Sequence, residues 1–188
     1  MSDIPKDIQI LIQPIATIIT AVIAVLVSFV TLGISLTAGR RAAKRGAFRD
    51  LIAEHFGDAS SALHEVVATA DVLLKTRSAK SRASWIMRGN KAKEDLMSVR
   101  KQLRITLGPM DAGFRNLARL PSWTAHSERY PKHSSALLLA GDQLREVLDD
   151  VLLAVYLQGE PPTWWQSWRV SKANTKLLKA YAAFRDRK

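Results

Sequence analysis

The sequence predicts an all-α protein in which a single N-terminal transmembrane helix precedes a cytoplasmic bundle of about four helices. Three observations lead to this prediction. Residues 8–39 carry no charge, apolar residues elsewhere recur at the three- and four-residue intervals of a helix, and no segment alternates with the two-residue period of a strand. The predicted divisions are a short extracytoplasmic N-terminus over residues 1–13, the transmembrane helix over 14–38 and a basic cytoplasmic helical domain over 39–188.

The uncharged run is long enough to cross a bilayer. A spanning helix needs about 20 apolar residues, because each residue advances about 1.5 Å through a hydrocarbon core about 30 Å thick. The alternative, a cleaved signal peptide, would have basic residues before a shorter apolar core. Here Asp3, Lys6 and Asp7 precede a longer run, so an uncleaved anchor is predicted.

Cations concentrated directly after the predicted span set its orientation. They are Arg40, Arg41, Lys44, Arg45 and Arg49. Only Lys6 precedes the span. Because basic residues near a span remain on the cytoplasmic side, the chain is predicted to lie in the cell inner membrane with its N-terminus outside and its C-terminal domain in the cytoplasm. The same cations are candidates for binding anionic lipid head groups.

The predicted span has one face of small residues and an opposite face of bulky ones when residues are placed at about 100° per step. The candidate association face consists of Ala16, Thr20, Ala24, Ser28, Thr31, Ser35 and Gly39. Lipid gives no hydrophobic reward for helix pairing, so association depends on the close backbone approach that small residues permit. We therefore predict pairing with a second copy or with another membrane helix. The alternative is that these hydroxyls only bond back to the preceding helical turn.

Four amphipathic helices are predicted in the C-terminal domain, over residues 42–76, 91–107, 134–158 and 163–185, with short pieces between 110 and 131. The third helix should end at Gly159. Gly46 or Gly57 could break the first helix, because glycine costs about 1 kcal/mol inside a helix. The predicted inward stripes are Phe48, Ile52, His55, Ala59, Ala62, Val66, Thr69 and Leu73; Ala92, Leu96, Val99 and Leu103; Leu137, Leu144, Leu148, Val151 and Val155; and Leu177, Tyr181 and Phe184.

The formal net charge is +11, the sum of −1 on the first 39 residues and +12 on residues 40–188. Residues 75–104 alone contain ten cations and two acids. This excess points to an anionic lipid, a nucleotide or an acidic protein as partner, although a solvated charged face would also explain it. Nucleic acid is less favoured, since no recognisable binding motif is present. The candidate ligand-binding residues are Lys75, Arg77, Lys80, Arg82, Trp85 and Arg88.

Tryptophan occurs beside basic residues in two places. Trp85 lies between Arg82 and Arg88 and is the stronger candidate for contact with a ligand or with lipid. Trp164 and Trp168 lie one helical turn apart, and this spacing predicts that they belong to the core of the fourth helix.

The residues indicate no enzyme. The chain has no cysteine, its four histidines lack metal-ligand spacing, and neither a nucleophile elbow nor a phosphate-binding loop is present. No catalytic residue, metal or cofactor is therefore predicted. The function we expect is oligomerisation of the span under control of a basic module that senses an anionic ligand or partner. By architecture alone this is similar to membrane effectors of bacterial defence and stress signalling. The alternative is a passive membrane scaffold that tethers another protein.

Overall fold

The computed structural model describes residues 6–103, 108–125 and 131–185, and the side chains of residues 25, 27–103, 108, 110–125 and 134–185. Its regular structure is entirely helical, with no strand in these ranges, so the predicted all-α class is confirmed. The elements are α1 (Lys6–Lys75), α2 (Ala79–Leu103), a 3₁₀ turn (Gly108–Met110), α3 (Asp111–Leu117), α4 (Leu120–Thr124), α5 (Pro131–Gln158) and α6 (Trp164–Arg185).

The chain divides into two compact units, Met1–Lys44 and Arg45–Lys188. In the first unit, the described large apolar side chains between Val25 and Leu36 are 53–69% exposed. Among the residues whose side chains are described, no helix offers a stretch both long and apolar enough to cross a bilayer. Of the predicted span over 14–38, the side chains of residues 14–24 and of Leu26 lie outside the described residues.

The second unit has one continuous apolar core to which each of its helices contributes. The predicted stripe of α5 is confirmed, because all five of its residues are fully buried. The stripe of α2 is buried as well, and in α1 only Phe48 and His55 of the predicted seam remain partly exposed. In α6, Leu177 is buried while Tyr181 and Phe184 lie at the edge of the core. These packed helices agree with the predicted bundle.

Helix α2 begins at Ala79, twelve residues before the predicted start. Its buried face begins with Arg82 and Gly89 and continues through Ala92 and Leu96. The buried residues have helical spacing, but Arg82 and Gly89 are not apolar. The hydrophobic pattern in the sequence therefore begins only at Ala92, well after the start of the helix. Glycine is required at the second position because a Cβ on Gly89 would lie 2.9 Å from the Cβ of Pro121.

Two glycine predictions have opposite outcomes. Gly46 and Gly57 do not break α1, and both are helical. Gly159 does end α5, with a φ of +64°. A Cβ at Gly159 would also lie 2.7 Å from the carbonyl oxygen of Arg45. Helix α6 then begins with a reciprocal cap, in which the Thr163 N–H donates to Gln166 Oε1 (2.7 Å) and the Gln166 N–H donates to Thr163 Oγ1 (3.3 Å).

Candidate functional site

An open cavity of about 960 Å³ lies where the C-terminal end of α1, the start of α2 and the N-terminal half of α5 meet. This volume is at the upper end of the range typical of small-molecule sites. Its charged lining comprises four cations and two carboxylates: Lys75, Arg77, Arg82 and Arg145, with Asp71 and Asp142. His64 and apolar side chains from α1 and α5 complete the wall. The lining therefore has a positive formal charge.

Arg82 lies against the wall of this cavity and is only 8% exposed. Its Nε donates to the carbonyl oxygen of Ala125 (3.0 Å), and its Nη1 donates to that of Thr76 (3.4 Å). Both carbonyls lie just beyond the last residue of a helix, α4 and α1 respectively. A cation stabilises the negative end of a helix, so Arg82 also joins these two helix ends.

Arg145 is the centre of a second polar network at the cavity. Its Nε donates to Asp142 Oδ1 (2.7 Å), and its Nη1 donates to Asp149 Oδ2 (3.2 Å). Burial disfavours the charged guanidinium, but the hydrogen bond to Asp142 and the attraction of the Asp142, Asp149 and Glu146 carboxylates outweigh it and raise the pKa of Arg145. Arg145 therefore contributes a permanent charge that three surrounding acids hold in place.

His64 contacts the same guanidinium through its ring. Arg145 Nη1 lies 3.0 Å from His64 Nε2, and His64 Nδ1 lies 2.9 Å from the carbonyl oxygen of Ser60. Because a guanidinium can only donate, Nε2 must accept and the proton belongs on Nδ1, which donates to Ser60. His64 thus links the Arg145 guanidinium to the backbone of α1 in the cavity wall.

The sequence analysis did not select Arg145 or His64 for this cavity. Arg145 is the single lysine or arginine within residues 134–158, an otherwise acidic stretch, so its spacing to Asp142 and Asp149 was the available signal. These residues lie three positions before it and four after it on the same helical face.

The six predicted ligand-binding residues do not form one site. Lys75, Arg77 and Arg82 line the cavity, whereas exposed Lys80 is not part of its lining. Arg88 follows Arg82 by six residues, which turns it about 120° around α2. Its Nε donates to Glu65 Oε1 (2.6 Å), and its guanidinium lies 4.9 Å from the centre of the half-buried Trp85 ring. Arg88 instead lines a separate groove between α1 and α2.

The cations predicted to contact lipid have different surroundings. Arg40, Arg41 and Lys44 are exposed in the first unit. In the second unit, Arg45 Nε donates to Glu160 Oε1 (2.7 Å), and Arg49 Nη2 donates to the carbonyl oxygen of Leu157 (2.8 Å). These two arginines therefore hold the turn between α5 and α6.

The predicted association face is only partly described. The side chains of Ala16, Thr20 and Ala24 lie outside the described residues, while Ser28, Thr31, Ser35 and Gly39 are exposed. Thr31 Oγ1 donates to the Val27 carbonyl oxygen (2.7 Å), and Ser35 Oγ donates to that of Thr31 (2.8 Å). Thr37, on the opposite face, donates in the same way to Gly33 (2.9 Å). Back-bonding therefore occurs on both faces.

The prediction that Trp164 and Trp168 belong to the core is wrong. Together with Trp165 they form an exposed group, which we call the tryptophan surface, with exposures of 76% (Trp164), 55% (Trp165) and 40% (Trp168). The buried face of α6 consists of Val170, Ala173 and Leu177, and Trp164 is turned about 120° away from Val170. The Trp165 and Trp168 rings stack with centroids 4.7 Å apart. Lys172 Nζ lies 4.9 Å from the Trp168 ring centroid.

Among the described residues, no three His, Asp or Glu side chains are grouped so that they could hold a metal ion. No protein-family model, curated protein or solved structure matches the chain. The functional argument therefore depends on the residues described above.

Proposed function

We propose that the chain is a non-enzymatic single-pass protein of the inner membrane, anchored by residues 14–38, with its N-terminus outside and its helical domain in the cytoplasm. The observation that carries this proposal is the run of large apolar side chains from Val25 to Leu36, each more than half exposed on α1. Leaving apolar surface in water costs about 25 cal/mol per Å². Lipid around an uncharged helix removes this cost.

The orientation follows from the exposed cations directly after the run. Arg40, Arg41 and Lys44 lie within six residues of Ala38 and are exposed. Each such cation contributes about 1 kcal/mol near an anionic leaflet. Their retention on the cytoplasmic side sets the direction in which the helix inserts.

The anchors associate through the small-residue face. Because the hydroxyls of Thr31 and Ser35 already donate within their own helix, close backbone contact rather than new hydroxyl hydrogen bonds stabilises the pair. Interhelical hydrogen bonds of this kind contribute only about 0.6 kcal/mol on average, so the helices can associate without them. The small-residue face therefore promotes association because its small side chains let the two backbones come close together.

The cytoplasmic module controls this association by binding an anionic ligand in the cavity lined by Lys75, Arg77, Arg82 and Arg145. Ligand binding changes the oligomer and thereby the membrane, which is the mode of action of an effector. The positive lining supports an anionic ligand, since opposite charge both attracts the ligand and orients it.

Cross-linking in native membranes tests the anchor and its face together. Ser35→Leu enlarges the small face, and Thr37→Leu is a matched control because Thr37 loses the same kind of back-bonded hydroxyl two positions later on the opposite side. We expect S35L to reduce the amine-cross-linked dimer about fivefold, as a loss of about 1 kcal/mol would, and T37L to leave it unchanged. Equal losses in both variants would contradict the interface. Release of the wild-type chain by alkaline carbonate would contradict the anchor.

A further inference from the structure

The tryptophan surface is not needed to complete the core of the second unit. Helix α6 already packs through Val170, Ala173 and Leu177. Three neighbouring indoles nevertheless remain exposed, with Trp164 and Trp165 centroids 6.2 Å apart and Trp165 stacked on Trp168. Contiguous exposed apolar patches mark sites that bind a partner or a membrane.

The charged groups around this surface favour an anionic occupant. Two carboxylates on the neighbouring segments are paired with arginine, Asp150 Oδ2 with Arg169 Nη2 (3.1 Å) and Glu160 with Arg45. The Lys172 ammonium lies over the Trp168 ring. The acids are thus neutralised while a lysine remains beside the indoles.

The composition distinguishes lipid from a protein partner. Protein interfaces are depleted of lysine at their centre, whereas tryptophan and lysine are both favoured where a bilayer meets water. An indole places its ring among the acyl chains and its N–H among the head groups. Stacked tryptophans beside Lys172 therefore fit a bilayer surface better than a second protein.

The turn before α6 is held by residues close in sequence to the proposed anchor. Arg45 pairs with Glu160, Arg49 donates to Leu157, and the Arg45 carbonyl is packed against Gly159. Arg45 follows Ala38 by seven residues in the sequence. Trp164 follows Glu160 by four residues.

We propose that the tryptophan surface docks on a bilayer that contains anionic phospholipid, with the three indoles at the interface and Lys172 at the phosphates. This inference rests on the proposed membrane anchor, which supplies the bilayer. Docking holds the second unit against the membrane, so it gives this unit a preferred orientation that a flexible tether would not.

Quenching by brominated lipid tests the docking in the full chain. One variant carries W85F and W123F, so that only the tryptophan surface emits. Its complement carries W164Q, W165Q and W168Q, so that only Trp85 and Trp123 emit. In vesicles of phosphatidylcholine with brominated phosphatidylglycerol, we expect quenching of the first variant to be at least twice that of the second. Equal quenching would overturn the docking surface.

A second test keeps every tryptophan and compares two variants that each reverse one charge. Lys172→Glu should reduce the quenching, and Lys93→Glu, an equal charge change at an exposed position of α2, should not. Equal effects of the two changes would overturn the proposal. The proposal would also be overturned if the indoles became shielded from solvent only as the protein concentration rises, because they would then contact a second copy.

The anchor and the docking surface can fail separately. A chain that resists carbonate extraction but whose indoles remain unquenched would overturn the docking surface and leave the anchor standing. A chain that carbonate releases, but whose indoles brominated lipid still quenches, would overturn the anchor and support the surface as a peripheral lipid contact.

Discussion

Two independent features of the structure require glycine at position 159. Its φ of +64° lies in the left-handed region, and the Arg45 carbonyl oxygen lies 2.7 Å from the position that a Cβ would take. The second contact is with backbone, which cannot move away as the end of a flexible side chain could. This residue therefore fixes both the end of α5 and its approach to α1.

Replacement of Gly159 by alanine should destabilise the second unit. The left-handed conformation alone costs an L-residue about 1–2 kcal/mol, and the contact with Arg45 adds to it. We expect thermal unfolding, followed by near-ultraviolet circular dichroism, to occur about 4–8 °C lower, as a loss of about 2 kcal/mol would cause.

Gly57→Ala is the control for this change. Gly57 lies inside α1, and a Cβ there meets nothing within 4 Å. Alanine should therefore raise the unfolding temperature slightly, because it loses less backbone entropy than glycine in a helix. A G159A chain that unfolds no earlier than the wild type would show that the turn relaxes without cost.

At the scale of the element, the start of α6 is set by its cap. Thr163 and Gln166 satisfy each other's backbone N–H groups, which is the pattern that begins a helix after the QGEPP segment. The cap fixes the first turn of α6, and this turn carries Trp164 and Trp165. The position of the tryptophan surface therefore depends on two polar residues that do not belong to it.

Thr163→Val should loosen this first turn. Loss of a threonine cap costs about 1 kcal/mol, so we expect faster amide hydrogen exchange at residues 164–167. Thr175→Val is the matched control, since Thr175 only donates to the Ser171 carbonyl within α6. Exchange that rises equally in both variants would contradict a specific role for the cap.

Elements with an uninterrupted apolar stripe could be predicted from the sequence. The stripe of α5 ends at a glycine, and both features are present in the structure. Helix α2 was predicted too short because Arg82 and Gly89 occupy its inward face. The reason is physical: a buried arginine and a close-approach glycine satisfy the packing without contributing hydrophobicity. Trp164 and Trp168 show the reverse, since helical spacing identifies a shared face but not the direction in which it points.

At the scale of the whole molecule, the cavity depends on residues distant in sequence. Its cations Lys75, Arg77 and Arg82 surround one interhelical turn, and their clustering was visible in the sequence. Arg145 comes from a different helix, so only the packing of α5 against α1 adds it to the site. Arg88 was near in sequence and yet belongs to another groove. Local charge density could therefore identify three of the four lining cations, but not the boundary of the site.

An anion that binds in this cavity should stabilise the full chain and increase its cross-linking. Inorganic pyrophosphate is a suitable probe because it is a small anion and the lining is positively charged. A ligand at 100 times its dissociation constant stabilises the folded state by about 2.7 kcal/mol. We expect Arg77→Gln to remove the pyrophosphate-dependent rise in unfolding temperature and in dimer. Lys176→Gln, at an exposed position of α6, should retain both. The same rise in both variants would show non-specific ion binding.

The contact between Arg45 and Glu160 has a consequence for biosynthesis. These residues are 115 positions apart, so this contact forms only after residue 160 has left the ribosome. Contacts of such long range form late because the intervening loop must first close. The uncharged run over residues 8–39 leaves the ribosome well before residue 160. The proposed anchor can therefore reach a membrane before the domain has closed around its own first helix.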